Sequence, residues 1–400
     1  MVRVTQAQTI QNENEGNAFE FFRSVLSAIP DPRRRQGKRY PFETVVVIAL
    51  MATICFAEDA QAMESWGEIH RDWLETFLEM PHGPPTQDVF LSVLGNLDPK
   101  RFEELLVAWA KLLSSRLQGQ QIALDGKTSR RSFDPTNGKS AIHTLNAWAV
   151  ESGLVIGQRT VDSKTNEITA IPEFLKILDI RGATVTADAL NCQTAIATAI
   201  KEGGGEYLLS VKENQPTLHH DVETTFKFVE QSREKPILDL PAPIVEEANT
   251  LEKGHGRLEE RCIKLCRDLS WLSNPDKWSD LNYFASVTRR RENLSTGKVS
   301  TETAYYIGSD SSADASQILS RIRRHWAVEN ECHWVLDQAF REDEARHRAK
   351  NVGQNMAAIR KFALNIIKQD KNRKLGVANT RKIAGWDDNY LLKLLTQSGC

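Results

Sequence analysis

The chain has 400 residues, of which 40% are hydrophobic and 26% charged, and its formal net charge is −2. This length and composition are those of a globular protein of roughly two or three domains, and they exclude a bulk polycation. The longest apolar run, from Thr44 to Ala57, is shorter than the roughly 20 residues of a membrane helix and predicts a buried core helix. The polar N-terminus lacks the apolar segment of a secretory signal, so we expect a cytoplasmic protein without a membrane partner.

The chain up to residue 115 is predicted to be helical. Apolar residues recur at helical spacing in five stretches, which are Phe42–Phe56, Ala62–Ile69, Trp73–Phe77, Phe90–Leu97 and Phe102–Leu113. Thr86 is placed to cap one of these helices, with Asp88 favourable in its first turn. We therefore divide this part into a polar tail, 1–24, and a helical domain, 25–115.

The next segment, 116–215, changes to strands. Short apolar stretches predict five of them, at Gln121–Leu124, Ala141–Val150, Leu154–Val161, Ala183–Ala187 and Tyr207–Val211. Glu151, Ser152 and Gly153 suit a hairpin turn between the second and third strands. Helices are expected from about Pro172 and over Ala195–Ile200. Three antiparallel strands, a helix, a strand, a helix and a strand are the element order of a ribonuclease-H-like fold, in the mixed α/β class.

The remaining chain is predicted to interrupt and then complete this domain. Residues 216–300 hold proline-rich turns and a charged stretch, which indicate an insertion. Residues 301–370 return to helices, one beginning at Ala313 with Ser312 as a possible cap and another over Val352–Lys368. Residues 371–400 form a polar, basic C-terminal tail with one apolar segment, Tyr390–Leu395.

Two aspartates stand where predicted strands end. Asp125 follows Gln121–Leu124, and Asp188 follows Ala183–Ala187. Either one alone could be an ordinary turn residue. On adjacent strands the two carboxylates would lie together, and paired carboxylates supply the oxygen ligands that Mg²⁺ prefers.

A third carboxylate is predicted from helical periodicity. Glu329 falls about 20° from Ile318 on a helical wheel that turns by about 100° a residue. This direction lies within an apolar stripe whose other members are Ile322, Trp326 and Leu336. A carboxylate there is costly to desolvate unless a positive group meets it. Glu331 points to the opposite side, so Glu329 is the candidate metal ligand; a pairing with a nearby arginine is the alternative.

His325, Glu329 and His333 are spaced by four residues and would share one ridge of this helix. That spacing allows a zinc site, although the chain lacks the HExxH pattern of a helical zinc motif. The alternative is that the two histidines form hydrogen bonds near the carboxylate.

Three converging carboxylates favour two-metal phosphoryl transfer, with two Mg²⁺ ions about 3.5–4 Å apart and Mn²⁺ as a substitute. Cations would then offset the charge that builds on the scissile phosphate. The basic residues placed for DNA contacts near the carboxylates are Lys127, Arg130, Arg131, Lys212, Arg324 and His325. A separate basic cluster contains Arg33, Arg34 and Arg35. Each of these could equally be solvated surface charge.

The segment GHGRLEER alternates in a strand-like way. This alternation would bring Arg257 and Arg261, together with His255, into contact with the DNA backbone. A charged surface hairpin is the alternative.

Seven stretches of the sequence resemble bacterial insertion-sequence transposases of the DDE type, specifically the branch that contains H-repeat-associated proteins. They run in family order from about residue 25 to residue 368 and are IPDPRRRQGKRYPFETVVVIAL, IALDGKTSRRS, NEITAIPEFL, GATVTADALNCQ, EYLLSVKENQ, EKGHGRLEERC and RRHWAVENECHWVLDQAFREDEARHR. By motif, Asp125 is the aspartate of ALDGKT, Asp188 that of TADAL and Glu329 the glutamate of HWAVEN.

The resemblance implies a ribonuclease-H-like catalytic domain with an inserted segment between the second aspartate and the glutamate, preceded by a helical domain that binds DNA ends. It implies magnesium-dependent strand cleavage at element ends and strand transfer into target DNA. The expected partners are terminal inverted repeats, target DNA and further copies of the chain. The alternatives are a catalytically decayed DNA-binding descendant and a metal-dependent nuclease without strand transfer.

One feature departs from related DDE transposases, which often carry a Tyr-x2-Arg-x3-Glu-x6-Lys pattern around the glutamate. The corresponding residues here are Ile322, His325, Glu329 and Leu336. His325 stands at the position of the arginine, with Arg324 beside it, and the lysine has no counterpart.

Overall fold

The structure is a computed structural model that describes residues 18–34, 38–113, 119–133, 138, 140–161, 167–234, 241–254, 256–370 and 375–396. Two residues predicted to contact DNA, Arg35 and His255, lie outside the described residues. The same holds for residues 1–17 of the predicted N-terminal tail and for residues 371–374 and 397–400 of the predicted C-terminal tail. Among the helices of the described ranges, none combines the length and apolarity needed to cross a membrane.

The N-terminal region is helical, as predicted. Its helices are α1 (Ala18–Ser27), α2 (Phe42–Ile54), α3 (Ala60–Ile69), α4 (Arg71–Leu74), α5 (Gln87–Asn96) and α6 (Pro99–Leu113). Helix α2 is apolar on all sides and buried along nearly its whole length, which confirms that the longest apolar run is a core helix. Thr86 precedes α5 as predicted, but its side chain makes no capping hydrogen bond.

Nine strands form one sheet in the order β3-β2-β1-β4-β5-β9-β8-β7-β6. They are β1 (Gln121–Ser129), β2 (Ile142–Ala149), β3 (Leu154–Val161), β4 (Thr184–Ala187), β5 (Glu206–Val211), β6 (Val245–Gly254), β7 (Arg257–Cys266), β8 (Tyr283–Asn293) and β9 (Val299–Gly308). β4 pairs in parallel with β1 and with β5, while β2 and β3 form an antiparallel hairpin beside β1. The predicted ribonuclease-H-like order of the first five strands is confirmed.

The sequence predicted that strand β1 ends just before Asp125. In the structure the strand continues to Ser129. It continues because its second half is paired with β2, where Asp125 lies opposite Asn146. Its parallel pairing with β4 stops at Leu124 opposite Ala187. Asp125 and Asp188 therefore each follow the last paired residue of two neighbouring parallel strands.

Two helices connect the parallel strands, α7 (Glu167–Leu175) and α8 (Thr194–Glu202). Helix α7 already includes Glu167, five residues before the predicted start, and Pro172 lies within it. Ile171, Phe174 and Leu175 form its buried apolar stripe, and Leu178, just after the end of the helix, is buried as well.

The segment predicted as an insertion begins with helix α9 (Pro216–Glu234) and continues into β6 to β8. These strands extend the same sheet, because β9 pairs antiparallel with β5. β9 itself begins at Val299, so the predicted boundary at residue 300 falls inside a strand. The division of the chain into domains remains a prediction.

The C-terminal region contains α10 (Ala315–His325), a π-helical turn (Val328–His333), α11 (Trp334–Phe340), α12 (Val352–Lys368), α13 (Val377–Trp386) and α14 (Asp388–Thr396). Asp314, rather than Ser312, caps α10, because its side chain accepts a hydrogen bond from the Gln317 amide in a capping box. Helix α12 has the predicted bounds and is almost wholly buried. It contacts α2, α5 and α6 on one side and β3 on the other, and so joins the helical region to the sheet.

Asn365 in α12 anchors this helix to the sheet. Its amide oxygen accepts from the Val155 N–H at 2.9 Å, and its amide nitrogen donates to the Val155 carbonyl at 2.8 Å. We expect Asn365→Leu to lower the free energy of unfolding by about 2–4 kcal/mol. The substitution leaves the Val155 N–H and carbonyl buried without these hydrogen bonds, and each unsatisfied group costs roughly 1–3 kcal/mol. Urea denaturation measures the change, with Asn379→Leu on the exposed face of α13 as the control. A loss below about 0.5 kcal/mol would contradict this role.

Candidate active site

The three predicted carboxylates line one cleft. Asp125, Asp188 and Glu329 border a cavity of about 570 Å³ beside the point where the pairing of β1 with β4 stops. Lys212 and His325, both predicted to contact DNA, border it as well. The cleft also has an apolar side, formed by Leu190, Leu208, Tyr306, Ile322, Trp326 and Val328. The structure thus brings together residues that are up to 204 positions apart in the chain, 329 minus 125.

Glu329 reaches this cleft for a different reason from the one the helical wheel predicted. Helix α10 ends at His325, and Glu329 lies in the π-helical turn that follows. A π-helical turn adds residues to a turn, so the directions calculated for one unbroken α-helix no longer hold. Glu329 is exposed rather than buried in an apolar stripe, and the predicted stripe residue Trp326 is 54% exposed. Glu331 lies away from the cleft, with its carboxylate 4.0 Å from the Lys368 ammonium.

His333 faces the Asp125 carboxylate. Its Nδ1 lies 3.4 Å from Asp125 Oδ2, and its Nε2 lies 3.2 Å from the amide nitrogen of Asn146. That amide nitrogen is a donor, so Nε2 accepts and the ring proton is placed on Nδ1, facing the carboxylate. Burial, followed by nearby cations such as Lys127, lowers the pKa of His333 to about 3, so the ring is neutral. His333 thus places a neutral ring beside the Asp125 carboxylate.

Asp188 is held by Asn191. The Asn191 backbone N–H donates to Asp188 Oδ1 at 3.1 Å, and its side-chain amide donates to the same oxygen at 3.0 Å. The amide nitrogen also donates to Glu167 Oε2 at 3.0 Å. Glu167 Oε1 in turn lies 2.5 Å from His143 Nε2. Asn191, Glu167 and His143 were not identified from the sequence as site residues. A signal existed for Glu167, which stands four residues before Ile171 on the buried stripe of α7.

The carboxylates in this region repel one another. Burial, together with the charges of Asp188, Glu167 and Glu329, raises the pKa of Asp125 to about 7. Burial and the Glu167 carboxylate also raise the pKa of Asp188, although its bonds with Asn191 act in the opposite direction. Over the described ranges, no three His, Cys, Asp or Glu side chains form a ready-made metal site. The donor chemistry nevertheless fits Mg²⁺ or Mn²⁺, because a divalent ion among carboxylate oxygens relieves this repulsion.

His325 does not supply a positive charge to the cleft. Its Nδ1 lies 2.9 Å from the Thr186 hydroxyl, and burial lowers its pKa to about 4. The residue at the position of the family's arginine is therefore neutral at neutral pH, and the hydrogen bond fixes α10 to strand β4.

Two of the cations predicted to contact DNA, Lys127 and Arg33, are buried in ion pairs. The Lys127 side chain is 6% exposed, and its ammonium lies 2.6 Å from Asp337 and 3.5 Å from Asp343. The Arg33 guanidinium is bonded to Asp31 at 2.9 Å and to the Tyr40 carbonyl at 2.6 Å. Both side chains stabilise local structure and are unavailable to a DNA phosphate.

Most of the other predicted cations reach the surface. Arg34, Arg131, Lys212 and Arg257 are exposed, and the side chain of Arg130 is 83% exposed. Two more are partly occupied by carboxylates. Arg324 donates to Glu151 at 2.6 Å, and Arg261 is paired with Glu252 and Glu259 at 3.1 and 2.6 Å. Their contacts with DNA remain predictions, and Lys212 is the one that lies in the cleft.

Comparison with known proteins gives consistent matches. The family model described as "Transposase DDE domain" matches residues 116–366, and the model described as "DDE_Tnp_1-associated" matches residues 23–110. The chain is 35% identical to the "H repeat-associated putative transposase YhhI" of Escherichia coli K12 over 94% of this chain and 97% of that protein. It is 34% identical to the "Putative transposase YncI" of Escherichia coli O157:H7 over 92% and 93%. Among solved structures, a piggyBac transposase synaptic complex with hairpin DNA is similar, with a TM-score of 0.42 and 12% identity over 94% of this chain and 79% of that one.

The raised pKa of Asp125 predicts a pH-dependent stability of the metal-free protein. The unfolded chain releases this proton near its ordinary pKa of 3.8, whereas the folded protein keeps it up to about pH 7, so the folded state loses stability as the pH rises between these values. We expect Asp125→Asn to raise the melting temperature by a few degrees at pH 8 and by less than about half as much at pH 5, where only part of this stability has been lost. Calorimetry in EDTA tests this, with the exposed Asp72→Asn as the control. An equal effect at both pH values would contradict the assignment.

Proposed function

The chain belongs to the transposase DDE family, and from that membership we propose that it cuts DNA at the ends of a mobile element and joins the freed ends to target DNA. The observation that carries the proposal is the convergence of Asp125, Asp188 and Glu329 on one cleft. A residue of β1, a residue that follows β4 and a residue of the π-helical turn there present oxygen ligands of the kind that divalent cations require.

We assign the three carboxylates to a pair of Mg²⁺ ions, for which Mn²⁺ would substitute. When bound, such a pair activates a water or a 3′-hydroxyl and stabilises the leaving oxygen of the phosphate. The protein's own contribution is to orient the ligands and to supply fixed charges. The neutral His333 ring lies against Asp125, with Nδ1 3.4 Å from Oδ2, and Asn191 holds Asp188 by two donors to one oxygen.

Lys212 is assigned to the DNA backbone at the mouth of the cleft. It is exposed, borders the cleft and lies near enough to Asp188 to lower the pKa of that carboxylate. A cation in this place attracts a phosphate and offsets the negative charge that builds in the transition state. The helical region would bind the terminal inverted repeats, and two or more copies of the chain would hold both ends with the target DNA.

The catalytic assignment predicts that substitutions of two glutamates in the same helical turn change the cleavage rate very differently. In a magnesium-dependent cleavage assay on DNA that carries the element end, we expect Glu329→Gln to lower the rate at least about 10³-fold. Glu331→Gln is the matched control, since Glu331 lies outside the cleft beside Lys368, and its rate should stay within about threefold of wild type. Asp188→Asn should behave like Glu329→Gln.

Two outcomes would count against the proposal. If the Asp188→Asn protein cleaved DNA at the wild-type rate, the assignment of Asp188 to the active site would be wrong. Cleavage by the wild type that yields hydrolysed ends and never joined products, with target DNA present, would reduce the activity to that of a nuclease.

The assignment of Lys212 predicts a change in the salt dependence of DNA binding. We expect Lys212→Ala to weaken binding and to reduce the slope of log affinity against log salt by about 1, as for the loss of one phosphate contact. Fluorescence anisotropy at several salt concentrations measures this slope. Lys176→Ala removes an exposed lysine bonded to Glu173 and should leave the slope unchanged. Equal slopes for wild type and Lys212→Ala would show that Lys212 makes no phosphate contact.

A further inference from the structure

A fourth carboxylate lies behind the cleft. Glu167 opens the described part of α7, and 4% of its surface is exposed. It does not border the cavity, yet a chain of hydrogen bonds joins it to Asp188 through Asn191. We propose that Glu167 is a positioning residue, which acts through the Asn191 amide to fix the Asp188 carboxylate in the orientation that binds a divalent ion.

The Asn191 amide can play this part because its orientation is determined. Both contacts of its nitrogen are to carboxylate oxygens, which only accept hydrogen bonds. A rotation of the amide by 180° would place its oxygen against two negative groups. Its own oxygen has no hydrogen-bond partner within the described structure, so these two bonds alone set the direction of the amide. Removal of the Glu167 carboxylate would therefore release Asn191 and, with it, one of the two donors to Asp188.

The second carboxylate oxygen of Glu167, Oε1, is bound by His143. His143 Nε2 lies against Glu167 Oε1, while His143 Nδ1 lies 2.8 Å from the Thr128 hydroxyl. Strand β1 makes room for this contact at Gly126, where a Cβ atom would come within 2.2 Å of Glu167 Oε1. The glycine that follows Asp125 thus lets a buried carboxylate approach the backbone of the strand that carries that aspartate.

A purely structural role does not account for a charged group in this place. Glu167 is buried close to Asp125 and Asp188, and its charge disfavours ionisation of both. A neutral side chain would fill the same space without this repulsion. A carboxylate, however, accepts from two donors at once, here from His143 and Asn191, and hydrogen-bonded partners of metal ligands typically change metal affinity by about 10- to 100-fold.

The inference rests on the proposed metal-dependent function, and Mn²⁺ binding tests the two separately. The variants are Glu167→Leu, Asn191→Ala and the double variant, each titrated with Mn²⁺ in the absence of DNA and followed by electron paramagnetic resonance. The fitted affinity is separate from the number of sites, so a partly unfolded sample lowers the number and leaves the affinity unchanged. Glu173→Leu is the matched control, because Glu173 lies on the same helix with its side chain 69% exposed.

We expect each single variant to weaken Mn²⁺ binding about tenfold and the double variant to be no weaker than either one, because the two residues act in series. Glu167→Gln, which keeps an acceptor for Asn191, should recover part of the affinity. Wild-type affinity in Glu167→Leu, or losses that add in the double variant, would overturn the positioning role while the proposed function stands. A wild type that binds no Mn²⁺ would overturn both.

Discussion

The site depends on the register of one parallel strand pair. Strands β1 and β4 are paired as far as Leu124 and Ala187, and they separate where the aspartates follow. Since side chains at the carboxyl ends of neighbouring parallel strands share one edge, this register places two negative groups side by side. A shift by one residue would turn one aspartate to the opposite face of the sheet. The contacts that His333 and Asn191 make with the two aspartates presuppose this pairing.

Charge is distributed unevenly around these strands. Burial, together with repulsion from neighbouring carboxylates that include Glu167 behind the cleft, raises the pKa of Asp125 and of Asp188. Lys127 lies two residues after Asp125 on β1 and is buried. Its ammonium is within 4 Å of three carboxylates of the C-terminal region, those of Asp337, Glu342 and Asp343. This lysine fastens β1 to the segment that follows Glu329. The negative charge of the cleft, in contrast, remains available to cations. One strand thus serves the fold with one side chain and the site with another.

The sequence predicted the order of the strands and the identity of the three carboxylates, because strand ends and family motifs are local signals. It failed where the outcome depends on distant contacts. Lys127 reads as a surface cation, yet its partner Asp337 is 210 residues away. The wheel that selected Glu329 assumed an unbroken α-helix, which the π-helical turn contradicts. A carboxylate within an apolar helical stripe indicates a site residue, and Glu167 does lie on a buried stripe of its helix.

The central claim is that Asp125, Asp188 and Glu329 bind divalent ions together. Crystals soaked in Mn²⁺, with anomalous diffraction recorded near the manganese edge, would locate the ions directly. The account predicts anomalous peaks within about 2.0–2.6 Å of carboxylate oxygens from all three residues. Peaks that lie elsewhere, or at only one of the aspartates without Glu329, would contradict it.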